Sequence, residues 1–212
     1  MPKHNTWVIK LGGSLIGSRY LSAWLAAIAA VSRQNRVVIV PGGGVFADVV
    51  RSTQRELKFD DAVAHYMALQ AMRQFGLALL ALMQPWCSTS LMCTPSIKAD
   101  QTTCGVCVWD PCDPALDGSQ LPKDWRVTSD SLSLWLCGEL GDTHLLLVKS
   151  TTPPSGSEDL SQLTAGNFID AFFPVLRATV KEPGWWLESA HAGALASLIA
   201  GSPPQAQYIG RI

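Results

Sequence analysis

The chain has 212 residues, of which 48% are hydrophobic and 16% are charged, and its formal net charge at pH 7 is −1. This length is sufficient for one well-buried domain and short for two, and the near-neutral charge argues against a nucleic-acid-binding protein. No apolar run approaches the roughly 20 residues of a membrane span, and residues 1–5 lack the apolar core of a secretory signal. We therefore expect a cytoplasmic protein with no membrane or nucleic-acid partner.

The first predicted element is an apolar strand over residues 7–11, which contains Lys10 and ends in a glycine-rich loop. Glycine lets backbone amides approach an anion closely, and the helix predicted over about 21–34 follows this loop. The pattern predicts a phosphate-binding loop with a mobile lysine charge; a plain strand-to-helix turn with a solvated lysine is the alternative. The loop residues are Gly12, Gly13 and Ser14.

A second strand, residues 37–40, also ends in glycine and precedes a helix predicted over 45–57. Two such units predict parallel strands whose loops meet at one sheet edge, where open α/β sheets bind ligands. Neither loop matches the dinucleotide-binding or P-loop fingerprints, so both of those readings lose support. The second loop consists of Gly42, Gly43 and Gly44.

A long helix is predicted to start at Asp60 or Asp61, either of which can be its N-cap, and to run to about residue 83. His65 and Tyr66 are unusual residues for its first turns. One interpretation is partly buried packing. The other is that Asp60, Asp61 and His65 form an acceptor-binding surface that faces the second glycine loop.

The middle of the chain, residues 85–122, contains strand-like pieces at 90–93 and 103–109 separated by proline and glycine. These pieces predict either a β-rich insert or an edge of the main sheet. Cys104 and Cys107 have the spacing of a zinc or redox pair, but a suitable fourth ligand is not near them in sequence. We therefore expect reduced thiols and no metal held by protein side chains.

The last third of the chain supplies two more candidate residues. Ser129 is predicted to cap a helix, which places Asp130 in its first turn, where a carboxylate commonly interacts with the helix dipole. An apolar strand over 144–148 ends in Lys149, and a charge at the end of a central strand lies at the ligand edge of a doubly wound sheet. The remaining predicted elements are a strand over 185–188, a helix over 192–200 and a strand over 208–212.

Four segments in this order resemble the amino acid kinase superfamily, which includes acetylglutamate, aspartate, uridylate and isopentenyl phosphate kinases. They are residues 8–14, 41–44, 127–130 and 145–149. The resemblance implies an α/β protein, a three-layer αβα sandwich with a mainly parallel central sheet. It also implies a single domain over 1–212, with an acceptor-side half at about 1–125 and a nucleotide-side half at about 126–212.

The resemblance further implies a kinase that uses ATP and Mg²⁺, with the metal carried by the ATP phosphates. Lys10 then contacts the transferred phosphoryl group, Asp130 positions the lysines and is a candidate general base, and Lys149 occupies a lysine position of uridylate kinases. By the same resemblance, Gly12, Gly13, Ser14, Gly42, Gly43 and Gly44 bind phosphate, and Lys149, Ser150, Thr151 and Thr152 bind the nucleotide.

Two features depart from the family pattern. Acetylglutamate-type members carry a late Gly-Met-x-x-Lys motif, whereas residues 167–174 read NFIDAFFP here, so the second catalytic lysine of those enzymes is missing. The Thr-Asp pair that often follows the adenine-side strand is also replaced, by the sequence after Lys149. The nucleotide preference therefore stays open.

Within the superfamily, residues 60–72 (DDAVAHYMALQAM) resemble a branch associated with methanofuran-type, one-carbon coenzyme biosynthesis, the aminomethylfuran-methyl phosphate kinases. This resemblance implies a small phosphorylated acceptor, a diphosphate product and, as in related kinases, a homo-oligomer. Two alternatives are an amino acid kinase that forms an acyl phosphate on a carboxylate, and a non-catalytic nucleotide- or oxyanion-binding protein of the same fold.

Overall fold

The computed structural model describes residues 5–100, 103–153, 159–203 and 206–212. Short 3-10 helices occur at Gly13–Leu15, Pro114–Leu116 and Ser189–Ala194. The strands and longer helices are, in chain order, β1 (Thr6–Leu11), α1 (Leu21–Val31), β2 (Arg36–Pro41), α2 (Gly44–Leu57), α3 (Asp61–Met83), β3 (Leu91–Met92), α4 (Thr94–Ala99), β4 (Gly105–Trp109), α5 (Ser129–Leu140), β5 (Thr143–Lys149), α6 (Leu160–Ala165), α7 (Phe173–Arg177), β6 (Gly184–Glu188), α8 (Leu195–Ile199) and β7 (Ile209–Arg211).

All seven strands belong to one sheet with the order β3-β4-β2-β1-β5-β6-β7. Neighbouring strands are parallel except at β6 and β7, which are antiparallel. Helices cover both faces, so the predicted three-layer αβα sandwich with a mainly parallel sheet is confirmed. The chain proceeds from β1 outward through β2 and later returns to β5 on the opposite side of β1. Ligands of open α/β sheets bind at such a switch point, outside the carboxyl ends of the strands.

The alternation of side chains along the central strands determines which residues face which helices. Lys10 is in register with Val40 and Leu147, and Lys149 follows Leu147 by two positions. Residues two apart on a strand share a face. Both lysines therefore lie on the same face of the sheet, at its carboxyl edge.

The two faces of the sheet are packed by different helices. On the face that carries the lysines, α5 packs Leu132 and Leu136 against Val8 and Leu145. The opposite face is covered by α1 and α8, as Trp24 and Leu195 pack with Ile9 and Ile39 of the central strands. Burying these apolar surfaces stabilises the fold by roughly 25 cal/mol per Å² removed from water.

Several boundaries differ from the sequence-based predictions. The middle segment is an edge of the main sheet, and it also contains the unpredicted helix α4. The N-cap of α5 is Thr128 rather than Ser129, because Ser129 already has helical geometry. The helix predicted over 192–200 instead begins within the 3-10 helix Ser189–Ala194 and continues as α8.

The surface of the sandwich includes part of α3. Its Tyr66 is 58% exposed, whereas Trp135 of α5 is only 7% exposed because α5 is a core helix. In the described part of the chain, none of the helices is both long enough and apolar enough to cross a lipid bilayer.

The two glycine loops touch each other through their backbones. The amide of Gly42 donates a 2.8 Å hydrogen bond to the carbonyl of Leu11. A Cβ added to Gly42 would lie 2.3 Å from the amide nitrogen of Gly13, and one added to Gly13 would lie 2.1 Å from that of Gly44. Gly44 also has a φ of +51°, a conformation that other residues adopt at a cost. Glycine is therefore required here for close backbone packing, independently of any ligand.

Replacing Gly42 by alanine is expected to destabilise the protein by about 1–3 kcal/mol, because the new Cβ overlaps backbone atoms that belong to a neighbouring loop. Urea unfolding followed by circular dichroism would measure this change. Gly193→Ala is the matched control, since a Cβ at Gly193 meets nothing within 4 Å. A Gly42→Ala protein as stable as Gly193→Ala would show that the loops are not packed as described.

Candidate active site

Two lysines from neighbouring strands meet at one carboxylate. Lys10, near the end of β1, places its Nζ 3.0 Å from Oδ1 of Asp130, and Lys149, the last residue of β5, places its Nζ 2.8 Å from Oδ2. Asp130 lies in the first turn of α5, directly above this face of the sheet. The structure therefore brings together all three residues that the sequence suggested as the catalytic group; their roles stay a prediction.

The three charges are almost completely buried, with exposures of 8% for Lys10, 6% for Asp130 and 8% for Lys149. Burial opposes ionisation of Asp130, but the two ammonium groups outweigh it and lower its pKa to about 2. Burial lowers the pKa of Lys149 to about 8, although Asp130 counteracts part of this effect. Two ammonium groups share one carboxylate, so the cluster has one positive charge in excess and is suited to an anion.

Lys149 and Lys10 are held differently. The ammonium of Lys149 also donates a hydrogen bond to the carbonyl of Phe168 and lies 5.0 Å from the centre of the Phe168 ring. Lys10 makes the ion pair with Asp130, and a Cβ at Gly12 would lie 3.2 Å from its Nζ. The missing side chain at Gly12 thus leaves space beside Lys10. Lys149 is restrained on several sides, whereas Lys10 adjoins the first glycine loop.

A second carboxylate, Asp170, holds the first turn of α5. Its Oδ2 accepts hydrogen bonds from the amide of Thr128 at 2.8 Å and the amide of Ser131 at 3.0 Å. The hydroxyls of both residues also donate to this carboxylate. Burial raises the pKa of Asp170, and the negative charge of Asp130 raises it further. Sequence analysis did not single out Asp170, because it lies about 40 positions from the helix that it caps.

A cavity of about 250 Å³ opens between the glycine loops and α5. Glycine amides and the start of α5 form its polar end, while apolar side chains of α2, α3 and α5, together with Val127, form its floor. Its lining includes Gly13, Ser14, Gly43, Gly44, Thr128 and Ser129 at the polar end, and Ala47, Leu69, Met72, Val127 and Leu132 on the floor.

Arg51 and Trp125, which sequence analysis missed, form one wall of this cavity. The Arg51 guanidinium lies 4.2 Å from the centre of a Trp125 ring, and Trp125 Nε1 donates a 2.7 Å hydrogen bond to Gln54. Arg51 also lines a second cavity of about 480 Å³ that reaches Asp130 and Asp170. The helical spacing of Gly44, positions 47 and 48, and Arg51 is the signal that could have identified this arginine, since such residues share a helix face.

The three predicted acceptor residues do not all line the cavity beside the glycine loops. His65 lines the 250 Å³ cavity, and burial lowers its pKa even though it donates a hydrogen bond to the backbone of Asp124. Asp60 instead caps α3 by accepting a 2.8 Å bond from Val63. Asp61 accepts a 2.8 Å bond from Gln54, and both aspartates are exposed.

Asp60 and His65 also line a neighbouring, largely apolar cavity of about 370 Å³. On the nucleotide side, Ser150, Thr151 and Thr152 are exposed directly after β5. Their position at the carboxyl edge agrees with the predicted location, and their role in nucleotide binding stays a prediction.

The cysteines do not add a site to this arrangement. Burial raises the pKa of Cys107 and of Cys137 to about 12, which disfavours reactive thiolates. Among the residues that the structure describes, there is no cluster of three or more His, Cys, Asp or Glu side chains suited to a metal ion. The carboxylates of Asp130 and Asp170 are both engaged by protein donors.

Comparison with known proteins adds a family and a named relative. Residues 5–94 match the model of the amino acid kinase family. The chain is 24% identical over 209 aligned residues to a [5-(aminomethyl)furan-3-yl]methyl phosphate kinase from Methanocaldococcus jannaschii, with 92% of this chain and 93% of the relative covered.

Solved structures show that the fold is shared with UMP kinases. The UMP kinase of Ureaplasma parvum superposes with a TM-score of 0.69 at 16% identity, covering 94% of this chain and 96% of its own. Uridylate kinase from Archaeoglobus fulgidus gives a TM-score of 0.65 at 16% identity, with coverages of 93% and 96%. The UMP kinase of Bacillus anthracis gives 0.69 at 12% identity, with 99% of each chain covered. Residues 5–94 thus carry the sequence pattern of the amino acid kinase family, and this match together with the named relative identifies the chain as a phosphotransferase.

Proposed function

We propose that this kinase transfers a phosphoryl group from ATP to a small phosphate monoester and forms a diphosphate. We further propose that the acceptor is an aminomethylfuran-methyl phosphate of methanofuran-type coenzyme biosynthesis. The observation that carries the proposal is the buried Lys10–Asp130–Lys149 cluster beside a small cavity rimmed by two glycine loops.

The charge distribution suits transfer between two phosphates. Phosphoryl transfer involves little covalent chemistry by the protein, so positioning and neutralisation of charge on the phosphoryl oxygens provide most of the catalysis. Here the reacting phosphates would meet Lys10, the amides of the glycine loops and, from the acceptor side, Arg51. Lys149 would stabilise the same charge from beneath, through its place at the shared carboxylate.

The protonation state of Asp130 favours a phosphate acceptor over an alcohol. A carboxyl group with a pKa of about 2 is a poor general base at neutral pH. A phosphate monoester needs no such base, because its second ionisation occurs near pH 6 and it is already a nucleophilic dianion at neutral pH. We therefore assign Asp130 to positioning the two lysines rather than to removing a proton.

The cavity also suits a small acceptor with an apolar ring. Its volume of about 250 Å³ is slightly below the roughly 300–1,000 Å³ typical of pockets for drug-sized ligands. The Leu69, Met72 and Leu132 side chains offer a floor for a ring while the glycine loops receive the phosphate. The names of the compared kinases, for an aminomethylfuran-methyl phosphate and for UMP, also specify phosphate monoesters.

Magnesium fits this site as a companion of the triphosphate. Since Asp130 and Asp170 are engaged by lysines and by α5, the ion would be held by phosphate oxygens and water, as is common for Mg²⁺. When bound, it would neutralise charge on the donor phosphates. Nucleotide contacts from Lys149, Ser150, Thr151 and Thr152 are part of the same proposal.

Assembly and location also belong to the proposal. A homo-oligomer in the cytoplasm is what we propose from the family resemblance. The 58% exposed Tyr66 and 46% exposed Val63 on α3 offer apolar surface for such a contact.

The proposed activity can be measured as ADP release from Mg·ATP in the presence of [5-(aminomethyl)furan-3-yl]methyl phosphate, with the diphosphate detected by ³¹P NMR. Lys10→Ala and Asp130→Asn are expected to lower kcat at least about 100-fold, because the first removes a positive charge placed for the transition state and the second removes the carboxylate that positions both lysines. Lys98→Ala is the control, since Lys98 forms an exposed ion pair with Glu139.

UMP, glutamate and aspartate are the competing acceptors. Hydroxylamine is added with the two amino acids, because it converts an acyl phosphate into a hydroxamate that can be detected. Turnover of UMP alone would replace the furan acceptor while keeping the phosphate class. Formation of a hydroxamate from an amino acid, or full activity in the Lys10→Ala and Asp130→Asn proteins, would contradict the proposal.

Substitution of Arg51 tests whether this residue binds the acceptor phosphate. Arg51→Ala is expected to raise the KM for the phosphate acceptor about 10- to 100-fold, since a charge-assisted hydrogen bond contributes roughly 1.5–3 kcal/mol. Lysine at this position should restore only part of the affinity, because it cannot bind phosphate through a planar fork. Steady-state kinetics with acceptor and ATP varied separately would measure both KM values.

Arg55→Ala, one helical turn further along the exposed side of α2, is the matched control for Arg51. It should leave the acceptor KM unchanged. An equal effect of the two substitutions, or an effect of Arg51→Ala on ATP alone, would remove Arg51 from the acceptor site.

The pKa of Lys149 predicts how kcat/KM changes at alkaline pH. Because its pKa is about 8, the ammonium loses its proton as the pH rises through 8, and kcat/KM should fall above that value. In Lys149→Arg the guanidinium stays protonated, so the fall in kcat/KM near pH 8 should disappear, whatever the maximal rate of this variant. A fall that persists in this variant would assign the titration to another group.

A further inference from the structure

Asp170 occupies an unusual position for a loop carboxylate. It lies in the segment where acetylglutamate-type kinases carry their late lysine, yet it is directed at the first turn of α5. Oδ2 accepts three hydrogen bonds from Thr128 and Ser131, and Oδ1 accepts one from the Ser131 hydroxyl. Oδ1 also accepts a 3.0 Å bond from the amide of Phe173, at the start of α7.

We propose that Asp170 is a positioning residue that fixes Asp130, and through it the ammonium groups of Lys10 and Lys149, by joining the first turn of α5 to the start of α7. Thr128 and Ser131 flank Asp130 on either side in sequence. Holding both of their amides fixes the backbone that carries the shared carboxylate. A carboxylate at this end also interacts favourably with the helix dipole.

The same segment restrains Lys149 directly. Phe168, two residues before Asp170, supplies the carbonyl that accepts a hydrogen bond from the Lys149 ammonium. Its ring packs edge-on against Trp186 of β6 at a centroid distance of 5.5 Å. One short segment therefore contacts Lys149 through Phe168 and the helix of Asp130 through Asp170. Displacement of this segment would move both partners of the ion pair.

The charges around Asp170 give this role a measurable signature. Lys149 is surrounded by Asp130, Lys10 and Asp170, and the last of these raises its pKa. Arg126, which lines the adjoining cavity, is paired with Asp124 at 2.7 Å. Removing the Asp170 charge should therefore lower the pKa of Lys149 further below its value of about 8. Loss of a purely structural cap would not have this effect.

The experiment is an NMR titration of protein labelled with ¹³C at lysine Cε, with the Lys149 signal assigned by its loss in Lys149→Met. Asp170→Asn is expected to shift the Lys149 titration to lower pH, and kcat with the phosphate acceptor should fall about 10- to 100-fold through misplacement of the lysines. Asp170→Glu keeps the charge, so it should leave the titration closer to wild type.

Asp113→Asn is the matched control. Asp113 is also a buried aspartate that accepts bonds from Thr94, Trp109 and Ala115, but it belongs to the β4 edge. Its substitution should lower stability without moving the Lys149 titration. If Asp170→Asn does not fold, Ser131→Ala removes one donor to Asp170 without changing any charge, and it should lower kcat while the Lys149 titration stays in place.

The kinetic part of this inference rests on the proposed function, whereas the titration needs no substrate. Absence of turnover in the wild-type protein would count against the proposed function only. An unchanged Lys149 titration in Asp170→Asn, or an equal shift in Asp113→Asn, would overturn the role of Asp170. So would a Ser131→Ala protein with wild-type kcat, should Asp170→Asn be unobtainable.

Discussion

The site depends on the burial of one carboxylate between two ammonium groups. An isolated buried charge is costly, so Asp130, Lys10 and Lys149 stabilise one another in their ionised forms at the sheet edge. Their charges do not cancel, and one positive charge is left. Asp130 lines the cavity of about 480 Å³, so a phosphate bound there would lie close to this excess of positive charge, which the neighbouring carboxylate of Asp170 partly offsets. The sheet itself creates this condition, because two adjacent parallel strands direct their lysines to one face.

The glycine loops complete the same edge for two reasons that act together. Their backbones approach too closely for a side chain at Gly13 or Gly42. The absence of side chains also leaves the backbone amides accessible to a ligand. The packing requirement and the binding requirement therefore select the same residue at the same positions. The packing of the loops that follow β1 and β2 therefore already accounts for the glycines. The argument for phosphate chemistry comes from the lysine cluster.

Sequence analysis recovered features that depend on strand alternation and local pattern. The proximity of Lys10, Asp130 and Lys149 could be predicted because β1, α5 and β5 each have a strong apolar signature with a charge at a defined end. Arg51, Trp125 and Asp170 were missed because their contacts join segments that are far apart in the chain. The acceptor surface assigned to Asp60 and Asp61 followed from proximity in sequence to His65, but Asp60 is engaged as a helix cap and Asp61 in a bond to Gln54.

The segment of residues 167–174 contributes a carboxylate to the site, Asp170, and contains no lysine. A second cation is already provided by Lys149, which reaches Asp130 from the end of β5. A further lysine in the segment of residues 167–174 would add a third positive charge beside a single buried carboxylate, and like charges at such distances disfavour ionisation. A carboxylate in that segment has the opposite effect, as it supports the charged form of Lys149 and binds the start of α5. An aspartate in this segment is therefore consistent with a site in which the strand β5, rather than residues 167–174, supplies the second cation.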